Sequence, residues 1–304
     1  MEFTVVAEGL AFPEGPVWLD DGSILVTEIA AGRITRVTRD GRKQPVATPG
    51  GGPNGAAIGP DGALYVTNNG GFRWANVGGM LIPGAAADDY ETGRIERIDL
   101  ATGRVERVVS AVDGHRLSGP NDLVFAADGS FWFSDLGKSF PRHREHGGLY
   151  WVSADGTCVR CAVYGPHLNG VGLSPDGGTI YGALTEERLI LAFAITGPGE
   201  VEAPLLGALP GRVVASFPGR TLLDSMAMLA SGRIAQATLV EQSGIATVDP
   251  ATGAFETTAF PDLLTTNIAF GGADMRDAAI CLSASGRLVV ARWPEPGLKL
   301  AFGA

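Results

Sequence analysis

The chain has 304 residues, 44 of them glycine and 19 proline, so about one residue in five interrupts regular structure, against roughly 12% in ordinary proteins. Few windows are long enough without Gly or Pro to support extended helices, which excludes a helical bundle, while 45% hydrophobic content excludes a disordered chain. A formal net charge of −10 leaves no phosphate-neutralising surplus and argues against nucleic acid or anionic membrane partners.

In chain order, an apolar FTVVAE run comes first, and from Glu14 the sequence repeats itself. Each unit opens with a carboxylate or amide, alternates through apolar positions, and reaches a turn seven residues on; a second apolar run then follows. The first unit is EGPVWLDDG, then ILVTE, RITRV and QPVAT; the second is NGAAIGPDG from Asn54, then LYVTN, RIERIDL and RVERVV. The third is NDLVFAADG from Asn121, then FWFSD, GLYWV and CVRCAV, and the fourth is NGVGLSPDG from Asn169, then IYGAL and LILAFAI. The fifth is DSMAMLASG from Asp224, then IAQAT, GIATVD and FETTAF; the sixth is NIAFGGADM from Asn267, with AICLS after a longer connection.

Asp-Gly between alternating runs signals a tight hairpin whose two turn positions both accept positive φ, which is expected at Asp21-Gly22, Asp61-Gly62, Asp128-Gly129 and Asp176-Gly177. About four antiparallel strands per unit, six times over, predict an all-β, six-bladed β-propeller with four-stranded antiparallel blades, residues 1–304 forming one domain. FTVVAE is expected to supply the outer strand of the last blade and close the ring. A β-sandwich has no reason to preserve the phase of the repeat.

The first strand of a propeller blade lines the central channel, so the six opening residues, Glu14, Asn54, Asn121, Asn169, Asp224 and Asn267, should converge at one end of the axis. Asn and Asp also favour turns, but Glu14 fits that simpler explanation poorly. Carboxylate and amide oxygens without thiolate suit a hard divalent cation, Ca²⁺ foremost, with Mg²⁺ or Mn²⁺ as alternatives and Zn²⁺ through oxygen ligands. The second unit is 27 residues longer than the shortest, which locates an insertion near 70–93 containing Phe72, Trp74, Leu81, Ile82 and Tyr90. It follows the second strand, whose end returns to the side of the openers, so it is expected to cover the ligand, with Trp74 as a substrate contact.

In the third-unit loop SFPRHREHGG, His143 and His146 read chiefly as solvated residues, His115 carries no signal, and His167, two residues before Asn169, is expected to touch the pocket. Cys158-x-x-Cys161 lacks a second pair, and its odd spacing sends the two thiols to opposite strand faces. Trp18, Trp132 and Trp151 sit in strand patterns and read as packing residues. No apolar run approaches the roughly 18 residues of a membrane-spanning helix, no signal peptide is visible, and three cysteines form no disulfide framework, so a soluble cytoplasmic protein is expected.

Glu14-Gly15-Pro16-Val17-Trp18, Pro120-Asn121-Asp122, Asn169-Gly170 with Ser174-Pro175-Asp176-Gly177, and Thr266-Asn267-Ile268-Ala269-Phe270-Gly271-Gly272 resemble the senescence-marker-protein/gluconolactonase (regucalcin-like) family over essentially the whole chain. The resemblance implies hydrolysis of a lactone with one divalent metal, Glu14, Asn169 and Asp224 as ligands, and Asn121 as a substrate or water contact; Asn54 is a further substrate contact. Asp224, or a metal-bound hydroxide, would act as base while the metal polarises the carbonyl and acidifies a water. Two departures stand out. Leu223-Asp224-Ser225-Met226 replaces the usual Pro-Asp-Gly-Met, and Gly119 stands where sugar-lactone members carry an Arg, with Arg116 nearby. A lactone less hydroxylated than gluconolactone is therefore expected. The alternatives are a phosphotriesterase-type hydrolase on the same metal site and a non-catalytic ligand-binding or interaction propeller.

Overall fold

The computed structural model describes residues 1–203 and 211–303. Six antiparallel sheets of four strands, one of them with a short fifth strand, are arranged as the blades of a propeller. Blade 1 is Pro13–Trp18, Ile24–Glu28, Arg33–Val37 and Lys43–Ala47, and blade 2 is Pro53–Ile58, Leu64–Asn68, Arg94–Ile98 and Val105–Val109. Blade 3 is Pro120–Phe125, Phe131–Asp135, Gly148–Val152 and Val159–Tyr164, and blade 4 is Leu168–Leu173, Thr179–Leu184, Leu189–Gly197 and Arg212–Ser216, with Glu200–Val201 also paired to its third strand. Blade 5 is Thr221–Met228, Ile234–Val240, Gly244–Val248 and Phe255–Ala259. Blade 6 is Thr265–Gly271, Asp277–Leu282 and Arg287–Arg292, and its outer strand is the N-terminal Phe3–Ala7, with Phe3 opposite Ala291. The ring therefore closes by hydrogen bonds between the two ends of the described chain.

The core is six apolar clusters, one between each pair of consecutive blades. Leu25 and Ile34 of blade 1 meet Leu64, Val66 and Ile98 of blade 2, and Ile24, Val26 and Val37 on the other face meet Ala279, Cys281 and Leu288 of blade 6. Second strands are thus buried on both faces, which is why ILVTE and FWFSD read as near-continuous apolar runs rather than alternating ones. Trp132 and Trp151 pack between blades 3 and 4, while Trp18 is half-buried and packs against the cluster between blades 6 and 1. Cys158 joins the cluster on one face of blade 3 and Cys161 the cluster on the other, and both are free thiols.

The hairpin turns differ from the expected two-residue form. In blade 1 the Leu19 carbonyl accepts the Gly22 N–H at 2.8 Å and the Leu19 N–H reaches the Ser23 carbonyl at 2.9 Å, so Asp20-Asp21-Gly22 is a three-residue loop. Only the glycine takes a positive φ, +75°; Asp21 instead accepts the Ser23 N–H at 3.0 Å. The same pattern recurs at Asp61-Gly62 and Asp128-Gly129. A type I turn followed by a left-handed glycine lets the aspartate cap the returning strand, which a two-residue loop would not. Among the described residues no helix is long and apolar enough to cross a membrane.

Candidate functional site

Each inner strand carries an irregularity at its opening residue. The four residues from Glu14 to Val17 face three from Thr27 to Leu25, and the same extra residue lies between Pro53 and Ala56, Pro120 and Leu123, Leu168 and Val171, and Leu223 and Met226; blade 6 has its own between Thr265 and Asn267. Such bulges re-aim side chains at the rims of sheets. They also suspend strict alternation, so in blade 3 both Asn121 and its neighbour Asp122 are buried at the axis.

Polar residues of the second strands hold these bulges in place. Thr27 Oγ1 donates to the Asn54 carbonyl of the next blade at 2.7 Å, Thr67 Oγ1 to the Asn121 carbonyl at 2.5 Å, Ser134 Oγ to the Asn169 carbonyl, and Ser283 Oγ to the Pro13 carbonyl at 2.5 Å. In blade 5, Gln236 Nε2 donates to the Asp224 carbonyl at 2.8 Å. Close approach is possible because Gly15 (φ +48°), Gly55 and Gly170 follow three of the openers; a Cβ on any of them would collide with the next blade. The last residues of the second strands fix the segments that lead into the inner strands. Glu28 accepts the Ala11 N–H at 2.7 Å, Asn68 the Gly52 N–H at 2.9 Å, and Asp135 the N–H groups of Ser118 and Gly119 at 2.9 and 2.7 Å.

The openers gather as the repeat phase requires. Glu14, Asn54, Asn121, Asn169 and Asn267 are buried, and Asp224 is half-buried. Asn267 Nδ2 donates to Glu14 Oε2 at 2.6 Å, and the Gly15 N–H reaches the same oxygen at 2.8 Å. Asn169 Nδ2 donates to Thr185 Oγ1 at 3.1 Å, leaving its Oδ1 buried without a donor; Asn121 Oδ1 is likewise buried and unpaired. Burial pushes the Glu14 carboxyl above the usual carboxylate range, opposed by its hydrogen bonds from Thr266, Asn267 and Gly15. Asp224 is pushed well up by burial and by the charges of Glu14 and Asp122, and Asp122 by burial and Glu14, with Ser225 pulling the other way.

Three mutually repelling carboxyls, those of Glu14 and Asp122 buried and that of Asp224 half-buried, beside two unpaired amide oxygens form a negative, donor-poor site. Oxygen donors of this kind fit a hard divalent cation. Among the described residues no three His, Cys, Asp or Glu side chains form a complete ligand set by themselves, so a cation here needs the amide oxygens.

Asp122, Ser225 and Thr185 were not among the sequence candidates. Asp122 follows Asn121 directly, and strand parity would send it to the opposite side; only the bulge brings it to Glu14 and Asp224. The repeat phase makes Asn267 one oxygen among six, whereas its amide acts as a donor that orients Glu14.

The segment 70–93 lies on the opener side of the ring, against residues of blades 1, 5 and 6. Its hairpin, Phe72–Val77 with Met80–Ala86, starts at blade 2 and lands on blade 6, where the Leu81 N–H donates to the Ala284 carbonyl at 2.8 Å. Trp74, Leu81 and Ile82 join Phe12, Leu222, Leu239 and Leu264, residues that flank the ring in blades 1, 5 and 6. Trp74 packs on Phe12, two residues before Glu14, with ring centroids 4.9 Å apart. His167 stacks on His146 at 5.1 Å and 9°, and its Nε2 is buried without a partner; burial lowers its pKa, assisted by Arg144. His143 stacks on Phe140, and His115 is exposed.

At Gly119 any Cβ would collide with the Gly137 carbonyl, so this backbone has no room for the arginine of sugar-lactone relatives; Arg116 is exposed on a short separate hairpin. On the far side of the ring the channel widens into an apolar cavity of about 350 Å³, lined by Val17, Ile58, Phe125, Met226 and Phe270 and by the segment Leu298–Gly303.

Comparison with known proteins gives the family of the chain and likenesses of fold. A family model described as the SMP-30/gluconolactonase/LRE-like region matches residues 12–285. A gluconolactonase of Zymomonas mobilis is 26% identical over 200 residues, 58% of this chain and 50% of that protein, so the chain spans about half the length of this relative. The structure of a gluconolactonase from Xanthomonas campestris superposes with a TM-score of 0.75 at 22% identity, covering 96% of this chain and 89% of that one. That of regucalcin, a calcium-binding protein from Agrobacterium tumefaciens, superposes with a TM-score of 0.69 at 18% identity over 98% of both chains. These two likenesses show a shared fold, and the family match carries the assignment: the chain belongs to the SMP-30/gluconolactonase/LRE-like family.

Proposed function

We propose that the protein is a divalent-metal-dependent lactonase in which Glu14, Asn169 and Asp224 hold one cation, Ca²⁺ first among the candidates. The observation that carries this reading is the pair of buried, unpaired amide oxygens, Asn121 Oδ1 and Asn169 Oδ1, beside Glu14, Asp122 and Asp224. A bound cation supplies Lewis-acid polarisation of the lactone carbonyl and acidification of a water. Asp224 takes the proton from the attacking water. Asn121 orients the lactone, Asn54 and His167 contact it, and Asn267 keeps Glu14 in its ligating orientation. Trp74 and Leu222, both half-buried beside the ring, offer an apolar surface, and no arginine stands at Gly119, so the substrate is a lactone with few hydroxyls and an apolar substituent. The protein acts on a small molecule.

The test is a panel of alkyl-substituted lactones and sugar lactones, with a phosphotriester as control, given to chelator-stripped protein resupplied with Ca²⁺, Mg²⁺, Mn²⁺ or Zn²⁺. Turnover should return with a cation, favour the alkyl lactones, and fall by about 10³-fold or more in Asp224→Ala. Full activity in that variant, or turnover confined to the phosphotriester, sinks the reading.

A further inference from the structure

Lys138 is one of only three lysines in the chain, and it is 1% exposed. It follows the second strand of blade 3 and begins the short hairpin Lys138–Ser139 with Arg144–Glu145. Its Nζ donates to two backbone carbonyls of the neighbouring blade, Asn69 at 2.7 Å and Gly71 at 2.6 Å, where the chain leaves blade 2 for the insertion. The same nitrogen lies 3.9 Å from the centroid of the Phe72 ring and 5.1 Å from that of Tyr90. Phe72 stands on the outgoing stem of the insertion and Tyr90 on the returning one, so a single nitrogen grips both.

Other contacts complete the clamp. Tyr90 Oη donates to the Ser118 carbonyl at 2.7 Å, and the Tyr90 ring packs on Gly70 and meets Phe140 edge-on at 5.7 Å. Asp135, the buried carboxylate that fixes Ser118 and Gly119, and Glu145 supply the compensating charge. An ammonium has three donors and a neutral amine keeps two, so both carbonyls stay bonded in either protonation state. A cation–π contact of a desolvated ammonium is among the stronger of its kind. At its other end the insertion is tied to blade 6 through Leu81 and Ala284. A segment fixed at both ends is a bridge.

We propose that Lys138 is a positioning residue that holds the insertion 70–93 as a fixed roof over the opener ring and thereby sets how tightly the site holds the apolar part of its substrate. The kinetic consequence rests on the lactonase reading, whereas the rigidity of the roof does not.

Hydrogen–deuterium exchange and steady-state kinetics on the full chain test this with Lys138→Met and Lys138→Arg. In Lys138→Met, amides of Phe72–Ala86 should exchange about tenfold faster while the inner strands keep their protection. KM for an alkyl lactone should rise about tenfold, with kcat within about twofold and a compact unsubstituted lactone little affected. Lys138→Arg, which keeps a cation able to donate to both carbonyls, should restore most of the protection and of the KM. Unchanged exchange across Phe72–Ala86 in Lys138→Met overturns the clamp; faster exchange with equal KM effects on both lactones overturns the role in selectivity. Should Lys138→Met fail to fold, Phe72→Leu, which removes one ring from outside the blades, must show the same local loosening or the proposal falls. A roof that loosens in a protein that opens no lactone refutes the lactonase reading alone.

Discussion

Asn267 and Glu28 show how much of this site depends on residues that hold the opener segments in place. Asn267 Nδ2 holds Glu14 Oε2 at 2.6 Å, so Asn267→Ala should leave the fold intact and weaken divalent-cation binding about 10- to 100-fold, as read by calorimetric titration of the stripped protein. Glu28 is fully buried and accepts from Arg33, Thr35 and the Ala11 N–H, which holds its carboxyl below the usual range despite burial. Glu28→Gln removes a buried charge from three donors, and should cost about 2–4 kcal/mol in chemical denaturation. Burial pulls the Lys138 ammonium from 10.5 down to about 7, with Asp135 and Glu145 opposing. The unfolded chain then binds the extra proton between those values, so this residue's contribution makes stability rise with pH above 7. Between pH 7 and about 9, below the range of tyrosine ionisation, the wild type should gain stability and Lys138→Met should lose most of that gain. Of these residues Glu14 was legible in the sequence through its phase, because that information is local; Asn267 was legible as an opener but not as a donor, and Lys138 was silent because its partners lie about 70 residues upstream.

At the scale of elements, the bulge and the insertion do what a regular strand and a short loop could not. The bulge puts Asp122 and Asn121 at one axis end, and its sequence trace is limited to small residues after several openers, Gly15, Gly55, Gly170 and Ser225. The turns were placed correctly, but their type was not, since Asp-Gly serves both a two-residue hairpin and the three-residue loop found here; the capping bond from Asp21 to the Ser23 N–H decides between them. The insertion announced itself by length, and its direction followed from the strand it leaves. Its landing place on blade 6 did not, because the apolar residues that receive it, Phe12, Leu222 and Leu264, lie far from it along the chain. Trp74→Ala should raise KM for an alkyl lactone about tenfold with a smaller change for a compact lactone, consistent with the loss of roughly 1.5 kcal/mol of apolar contact. Equal changes for both substrates would place Trp74 outside the binding surface.

For the whole molecule, stability is shared among six interblade clusters and one closure. Each blade buries both faces of its second strand, so no blade is self-sufficient and the ring gains most from being complete. The closure pairs Phe3–Ala7 with Arg287–Arg292. Removing residues 1–7 would expose the edge of Arg287–Arg292 and open the cluster of Ala7 with Leu288, and should lower the melting temperature by about 10 °C and promote association. A thermal melt and light scattering check both outcomes.

The sequence by itself determined the strand repeat, the number of blades, the closing strand and the phase at which oxygen-bearing side chains occur. All of these depend on periodicity and turn chemistry, which act over a few residues at a time. Tertiary structure alone decided which oxygens are left without donors, that Asp122 turns toward the axis, that Gly119 has no room for a side chain, and that Lys138 ties two blades together. Those outcomes depend on the distance between segments far apart in the chain, and that distance is set by the packing of one blade against the next.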